Sequence, residues 1–130
     1  MDKKYMADSF ETNMLSFFDR KTQISELNWN KHAKFDGVYI KHLIKGSDTN
    51  GTLSCHIVKI EANCTIDEHI HGGKIEVHEV IEGSGTCFLA NKLITYSIGS
   101  VALMPADVIH KITAGNDGMY ILAKFSPALL

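Results

Sequence analysis

The sequence predicts an all-β domain, a sandwich or barrel of short strands, preceded by a short N-terminal helical arm. From about Phe35 onward, turn signals recur at a spacing of roughly 8–12 residues, which is typical of such folds. The segments between the turns are short and rich in residues that favour strands. A length of 130 residues favours one domain with a single core. We therefore divide the chain into an arm, residues 1–34, and one β-domain, residues 35–130.

The arm carries an apolar stripe with helical spacing. Its four residues fall at i, i+4, i+7 and i+8, as one buried face of a helix requires: Phe10, Met14, Phe17 and Phe18. Asp8 or Ser9 could cap this helix at its N-terminus. We expect the stripe to pack against the β-domain or against a partner subunit. A helix on a membrane surface would need a basic polar face, which this segment lacks.

The strands of the β-domain are predicted from the segments between turn signals. They cover Val38–Ile44, Leu53–Ile60, Glu76–Glu82, Thr86–Ala90, Ser100–Met104, His110–Thr113 and Met119–Phe125. The breaks between the later strands include Gly83–Gly85, Ala90–Asn91 and Gly115–Gly118. No repeat, low-complexity stretch or internal linker interrupts the pattern, so it indicates one compact domain.

Composition and charge exclude several classes of protein. Thirteen Lys and Arg residues against fifteen Asp and Glu give a formal charge of −2, which is not the basic footprint of a nucleic-acid binder. No apolar run approaches the ~18–20 residues that span a bilayer, and the first residues contain no apolar signal-peptide core. Three cysteines without Cys-x-x-Cys spacing argue against a disulfide framework. We therefore expect a cytoplasmic protein with neither nucleic acid nor membrane as a partner.

Histidines are concentrated in one part of the β-domain, where four of the seven lie between positions 69 and 110. His69 and His71 are two residues apart, so in a strand both side chains point the same way, about 7 Å apart along the backbone. The turn at Gly72–Gly73 lets the chain return as an antiparallel strand that carries Glu76. Imidazoles and a carboxylate together suit a borderline divalent metal, and His110 could supply a fourth ligand.

This segment resembles the first sequence motif of small single-domain microbial cupins. That motif reads G-x5-H-x-H-x4-E-x6-G. It is matched in order by Asn63, His69, His71, Glu76 and Gly83. The only departure is Asn63, which stands where the family has glycine. Since Asn tolerates positive φ better than most residues, the change is structurally mild.

A second segment resembles the second cupin motif, G-x5-P-x-G-x2-H-x3-N. It is matched in order by Gly99, Pro105, Asp107, His110 and Ala114. Asp107 replaces a glycine and also tolerates positive φ. Ala114 replaces an asparagine that is not a metal ligand in the family. The two motifs are separated by fifteen residues, a short separation that is typical of small microbial cupins.

The resemblance implies a fold, a metal site and an assembly. The implied fold is a double-stranded β-helix, or jelly-roll, barrel of the RmlC-like type. The implied cofactor is one divalent transition metal per chain, which could be Fe, Mn, Ni, Co or Zn. Its implied ligands are His69, His71, Glu76 and His110. Small cupins also usually pair through strand edges, so a homodimer is expected.

Other histidines are assigned by strand alternation. If Glu76 points into the barrel, His78 shares its face and could be a fifth ligand, an acid–base group or a donor that lines the pocket. We take His78 as the candidate catalytic residue, for proton transfer, beside the structural alternative of a histidine bonded to a carbonyl. His42 could line the pocket, whereas His32 and His56 are interpreted as structural or solvated.

Two classes of function remain open from the sequence. The first is a metal-dependent enzyme that acts on a small organic molecule with a carboxylate, keto or enol group. A divalent ion with one carboxylate ligand keeps a net positive charge, which suits such oxygen donors. Dioxygenase and isomerase or lyase chemistry both fit, because cupins host many reactions on one barrel. The second class is a non-catalytic module that binds or senses a small molecule.

Overall fold

The structure, a computed structural model, describes residues 5–130 and consists mainly of antiparallel strands. The described strands are β1 Met14–Ser16, β2 Lys21–Gln23, β3 Asn30–Lys31, β4 Val38–Ile44, β5 Ser54–Ile60, β6 Thr65–His69, β7 Ile75–Leu89, β8 Lys92–Tyr96, β9 Val101–Met104 and β10 His110–Ser126. The described helices are α1 Tyr5–Glu11, α2 Gly46–Thr49 and a 3₁₀ turn at Ile24–Glu26. The all-β class is therefore confirmed. Within residues 5–130, no helix is long and apolar enough to cross a membrane.

The two longest strands, β7 and β10, organise the barrel. They pair with each other along nearly their whole lengths, from His110 opposite Leu89 to Ser126 opposite Ile75. The first half of β7 and the second half of β10 belong to one layer, in the order β3-β4-β5-β10-β7-β9. Their other halves belong to a second layer, in the order β6-β10-β7-β8. Both strands therefore pass from one layer into the other.

The passage between layers occurs at two glycines of β7, where the backbone of β10 comes very close. Gly83 has a φ of +77°, and a Cβ atom at this position would lie 2.0 Å from the carbonyl oxygen of Gly118. A Cβ on Gly85 would lie 2.2 Å from the carbonyl oxygen of Thr113. Only glycine allows the two backbones to approach this closely. The predicted strand ends at Gly83–Gly85 and Gly115–Gly118 are wrong, because glycine bends these strands without ending them.

The core lies between the two layers. It is formed mainly by aliphatic residues and a few larger side chains: Val38, Val58, Ile60, Ile66, Val80, Cys87, Tyr96, Met104, Ile112, Ala114, Met119, Ile121, Ala123 and Phe125. On β7 the alternation is regular, with Glu76, His78 and Val80 buried and Ile75 exposed. The two polar side chains among them, Glu76 and His78, therefore enter the same interior as the apolar core, and burial requires polar partners for them.

The N-terminal arm differs from its prediction. Helix α1 ends at Glu11, and the chain then forms the β1–β2 hairpin, so the predicted helix through Phe18 is wrong. Asp8 and Ser9 lie inside α1 and do not cap it. Phe18 lies in the turn of the hairpin and is fully exposed. The spacing of the stripe fits a helix, but a strand pairing overrides it. Residues 1–4 of the predicted arm lie outside the described residues.

The arm packs against the outer face of the first layer. Packing against the β-domain was one of the two arrangements expected for it. Phe10 and Leu15 contact a second apolar cluster that includes Leu43 and Ile57. At the centre of this contact the fully buried ammonium of Lys41 lies 2.7 and 2.8 Å from the two carboxylate oxygens of Glu11 on α1. The arm therefore covers the outer face of the sheet. The predicted ligand residues lie on the opposite, inner face.

Candidate metal centre

Three strands bring the predicted ligands to one end of the barrel. His69 is the last residue of β6, and it is paired across the sheet with His110, the first residue of β10. His71 follows β6 directly, and the turn after it returns the chain to Glu76 on β7. The ring centroids of His69 and His110 are 4.2 Å apart, and those of His69 and His71 are 4.9 Å apart. The four side chains, which we call the His/Glu cluster, therefore converge.

Glu76 lies at the centre of the His/Glu cluster. Its Oε1 atom is 3.4 Å from Nε2 of His110 and 3.6 Å from Nε2 of His71. The ligand nitrogens of His69, His71 and His110 all lie within 4.8 Å of one another. Atoms that share an ion at about 2.0–2.2 Å lie roughly 3–4.4 Å apart. Glu76, His78 and His110 form a second group with ligand atoms within 4.8 Å of one another, so His110 belongs to both groups. The three imidazoles of the His/Glu cluster are therefore spaced as a common cation requires, to within a small movement of the side chains, and Glu76 lies within 3.6 Å of two of them.

Hydrogen bonds to backbone carbonyls orient two of the imidazoles. Nδ1 of His69 is 2.7 Å from the carbonyl oxygen of Asp67, and Nδ1 of His110 is 3.2 Å from that of Val108. A carbonyl can only accept, so Nδ1 of each ring carries the proton. In the neutral form of each ring, Nε2 then presents a lone pair to the cluster. This is the tautomer that a metal-binding histidine adopts when its second nitrogen donates to the protein.

Two buried atoms of the cluster lack a hydrogen-bond partner. Within the described residues these atoms are Oε1 of Glu76 and Nε2 of His110, and they face each other. With His110 neutral, both atoms offer lone pairs, and a buried acceptor without a donor costs about 1–3 kcal/mol. A cation between them would satisfy both atoms at once. The residues present therefore fit a divalent metal of the kind that takes nitrogen and oxygen ligands.

The electrostatics keep Glu76, His69 and His71 in the forms that a metal ligand needs. Burial alone would raise the pKa of Glu76, but the imidazoles of His78, His110 and His71 outweigh it and hold this pKa well below its ordinary value. Burial lowers the pKa of His69 to about 4 and also lowers the pKa of His71. At neutral pH the carboxylate is therefore charged, and the His69 and His71 rings are neutral.

His78 contacts the carboxylate of Glu76 from the interior. Its Nε2 is 3.0 Å from Oε2 of Glu76, and its Nδ1 is 2.9 Å from the hydroxyl of Tyr96. The exposed fraction of His78 and of Tyr96 is only 1%. Burial raises the pKa of Tyr96, so its hydroxyl stays protonated. A carboxylate oxygen can only accept, so a neutral His78 ring carries its proton on Nε2 and accepts the Tyr96 hydroxyl at Nδ1. The proton on Nε2 then bonds Oε2, which leaves Oε1 as the free oxygen of Glu76.

The turn that carries His71 is held by a residue of the second motif. Oδ1 of Asp107 accepts a hydrogen bond of 3.1 Å from the backbone N–H of Gly73. Asp107 has a φ of +63° and Asn63 a φ of +61°, so both occupy the left-handed region that was expected for them. Asp107 therefore supplies a contact that glycine could not make.

The cluster opens into a cavity of about 170 Å³. Its wall is formed by fourteen residues: His32, Ile40, His56, Val58, Ile66, His69, His71, Glu76, His78, Ile112, Ile121, Ala123, Phe125 and Leu129. His42 is not among them. His42 instead lies behind His56, with the Nδ1 atoms of the two rings 2.7 Å apart. Nε2 of His56 is 2.8 Å from the hydroxyl of Ser54, so both nitrogens of His56 are engaged within the protein.

Comparison with solved structures identifies the fold, although neither a protein-family model nor a curated protein matches this sequence. A predicted oxalate decarboxylase from Thermotoga maritima superposes with a TM-score of 0.74 at 20% identity, covering 80% of this chain and 96% of that one. KdgF from Halomonas sp. gives 0.70 at 19% identity, covering 79% and 88%. An RmlC-like cupin from Shewanella frigidimarina gives 0.67 at 17% identity, covering 88% and 91%. The chain has the cupin fold.

Within this cupin barrel, the sequence missed two wall residues. His32 and His56 were interpreted as structural or solvated, yet both line the cavity. Strand alternation could not predict that His56 faces the cavity, because β5 is buried on both of its faces. His32 precedes the first predicted strand, so no pattern related it to the cupin motifs. The identities to the solved cupins concern the fold, and what this cavity does is a separate question.

Proposed function

We propose that this cupin binds one divalent transition metal through His69, His71, Glu76 and His110, and that it uses the metal in a reaction of a small organic molecule. The molecule would carry a carboxylate, keto or enol oxygen. The proposal depends mainly on one observation, the facing pair of unpartnered buried atoms on Glu76 and His110. A cavity beside this pair gives a small molecule access to the cluster.

When bound, the metal would act as a Lewis acid that polarises a substrate oxygen or acidifies bound water, or, if it is iron, would support oxygen chemistry. The chain contributes the remaining functions. His69 and His110 hold their lone pairs toward the centre through their carbonyl hydrogen bonds. Apolar walls such as Ile112 and Phe125 exclude water from the substrate, which strengthens electrostatic interactions in the cavity.

His78 is proposed to act through Glu76. With one nitrogen on Tyr96 and the other on Glu76, it restricts the carboxylate to one free oxygen. A proton held by His78 can reach a substrate only after one of these contacts opens. We therefore propose a positioning role for His78 in the reaction, with proton transfer as the alternative role. A pH profile of turnover that loses one limb in His78→Gln would favour proton transfer.

Elemental analysis of the purified protein tests the metal site. We expect close to one transition-metal ion per chain in the parent after reconstitution, and a loss of about tenfold or more in affinity in His110→Ala. The matched control is His56→Ala, which removes a histidine from the same cavity but outside the cluster. A parent that binds no metal, or a control that loses it equally, would contradict the proposal.

The metal that is found then decides which reaction to assay. Consumption of O₂ by the iron-loaded protein would favour a dioxygenase. Turnover with Zn, Mn or Ni in the absence of O₂ would favour an isomerase or a lyase. Tight binding of a small molecule without any product would instead favour the alternative, a non-catalytic binding or sensing cupin.

A further inference from the structure

Outside the His/Glu cluster, the cavity wall is apolar except for three histidines. Eight of its residues are aliphatic or aromatic: Ile40, Val58, Ile66, Ile112, Ile121, Ala123, Phe125 and Leu129. Within the described chain, neither Lys nor Arg lines the cavity. A ligand carboxylate that lies away from the cluster would therefore meet apolar surface without a counter-charge. Burying an unpaired charge in such a place is costly.

Three wall histidines lie outside the cluster, and they differ in what they can offer to a ligand. His78 is engaged with Glu76 and Tyr96. His56 is bonded through Nδ1 to His42 and through Nε2 to Ser54, so neither nitrogen is free. His32 accepts the backbone N–H groups of Lys34 and Phe35 at its Nδ1, at 3.0 and 3.3 Å. Its proton is therefore on Nε2 when the ring is neutral, which leaves one hydrogen-bond donor for a molecule in the cavity.

We propose that the cavity accepts a small monoanion whose chelating oxygens face the His/Glu cluster and whose remainder is apolar or ends in one uncharged acceptor. The apolar part would contact Val58, Ile112 and Phe125, and the acceptor would bond His32. The proposal rests on the proposed metal site and adds the class of substrate. It excludes molecules with a second carboxylate at the far end.

Three molecules with the same 2-oxocarboxylate group test this proposal. They are 4-methyl-2-oxopentanoate with an apolar end, 2-oxoglutarate with a second carboxylate, and the 5-methyl ester of 2-oxoglutarate with an uncharged acceptor. Their binding to the zinc-loaded protein is measured by titration calorimetry, since zinc supports no redox chemistry. We expect the apolar molecule and the ester each to bind at least about tenfold more tightly than 2-oxoglutarate.

His32→Phe tests the role of the wall histidine. It keeps a ring but removes the Nε2 donor, so binding of the ester should weaken about threefold to tenfold while 4-methyl-2-oxopentanoate is unaffected. Because the variant also removes the acceptor for two backbone N–H groups, its thermal unfolding is compared with the parent. Equal losses for both molecules in a folded variant would overturn the role of His32.

The failure of this inference can be told apart from the failure of the proposed function. Zinc stoichiometry is measured on the same samples, with His110→Ala beside the parent. If zinc fails to bind to the His/Glu cluster, the proposed function itself is wrong. If zinc binds but 2-oxoglutarate binds as tightly as the other two, or none of the three binds, the inferred substrate class is wrong.

Discussion

The hydroxyl group of Tyr96 contacts Nδ1 of His78, whose Nε2 in turn contacts Oε2 of Glu76. Tyr96→Phe removes the donor to Nδ1 of His78 and leaves that buried nitrogen without its partner. We expect the free energy of unfolding to fall by about 1–3 kcal/mol and zinc affinity to fall about tenfold. Urea unfolding and competition with a chelator measure the two quantities.

The matched control for this prediction is Tyr120→Phe. Tyr120 is a partly buried tyrosine whose ring packs against Trp29 on the outer face of the sheet, far from the His/Glu cluster. Its variant should keep the zinc affinity of the parent. An unchanged zinc affinity in Tyr96→Phe would show that the contact between His78 and Glu76 does not depend on the hydroxyl.

His56 should make the stability of the metal-free protein depend on pH. Burial, with a smaller effect from His42, lowers the pKa of His56 to about 4 from its ordinary value of 6.5. The unfolded chain therefore takes up the proton first as the pH falls. The stability contributed by the neutral ring is fully present above pH 6.5 and declines as the pH falls toward 4.

Urea unfolding in EDTA at pH 7 and pH 5 measures this dependence. His56→Gln should lose less stability between the two values than the parent does, because it removes one buried base that the unfolded chain protonates. Part of the loss will remain in the variant, since the pKa of His69 is also lowered to about 4. A parent and a variant with equal losses would refute the assignment to His56.

Part of the candidate site could be predicted from the sequence, and part could not. Residues with fixed spacing on adjacent strands, such as His69, His71 and Glu76, were placed together by the motif and by the two-residue alternation of strands. The partner of His78 could not be predicted in this way. Tyr96 lies on a strand that the turn signals did not indicate, and its side chain reaches His78 across β7 and β8 only in the folded barrel.

At the scale of elements, the bend of β7 depends on Gly83. Gly83→Ala would require an alanine at positive φ and would place its Cβ against the carbonyl of Gly118. We expect a loss of about 3 kcal/mol or more in the free energy of unfolding, because both strain and a backbone clash are introduced. Gly99→Ala is the control. Gly99 also has positive φ, but nothing lies within 4 Å of a Cβ there, so its loss should stay near 1 kcal/mol.

Thermal or urea unfolding of the two variants separates strain from steric clash. Similar losses in both would mean that the crossing of β7 and β10 can relax around a methyl group.

The close approach of β7 and β10 also explains why the strand boundaries were mispredicted. A pair of glycines usually indicates a turn, but in β7 it lets the backbone of β10 come close, and the pairing partner is not visible in a local pattern.

The N-terminal segment shows a different error, since a helix was predicted where part of the chain forms a hairpin. The spacing of Phe10, Met14, Phe17 and Phe18 fits a helix, and local spacing was the only information available. The structure divides these residues between α1 and the β1–β2 hairpin, because Leu15 pairs with Thr22 and packs under the hairpin on the sheet. Tertiary packing therefore outweighs a periodicity that extends over only two turns.

At the scale of the whole molecule, we propose that two copies associate through β9. Within the described chain this strand pairs only with β7, so its other edge has free backbone groups. It contains neither a charged residue nor proline, the usual protections of an exposed edge. Val101 and Leu103 are 68% and 53% exposed. An antiparallel contact between two β9 edges about a two-fold axis would cover both residues in each copy.

Light scattering after size exclusion tests this assembly. The chain has a mass of 14.4 kDa, so the parent should elute with about twice that mass. Leu103→Lys should give monomers, because each copy would bring a lysine into the contact and both charges would be buried there. Leu93→Lys places the same charge on the free edge of β8 and should remain dimeric. A monomeric parent would refute the dimer, and a dimer disrupted by Leu93→Lys alone would move the contact to β8.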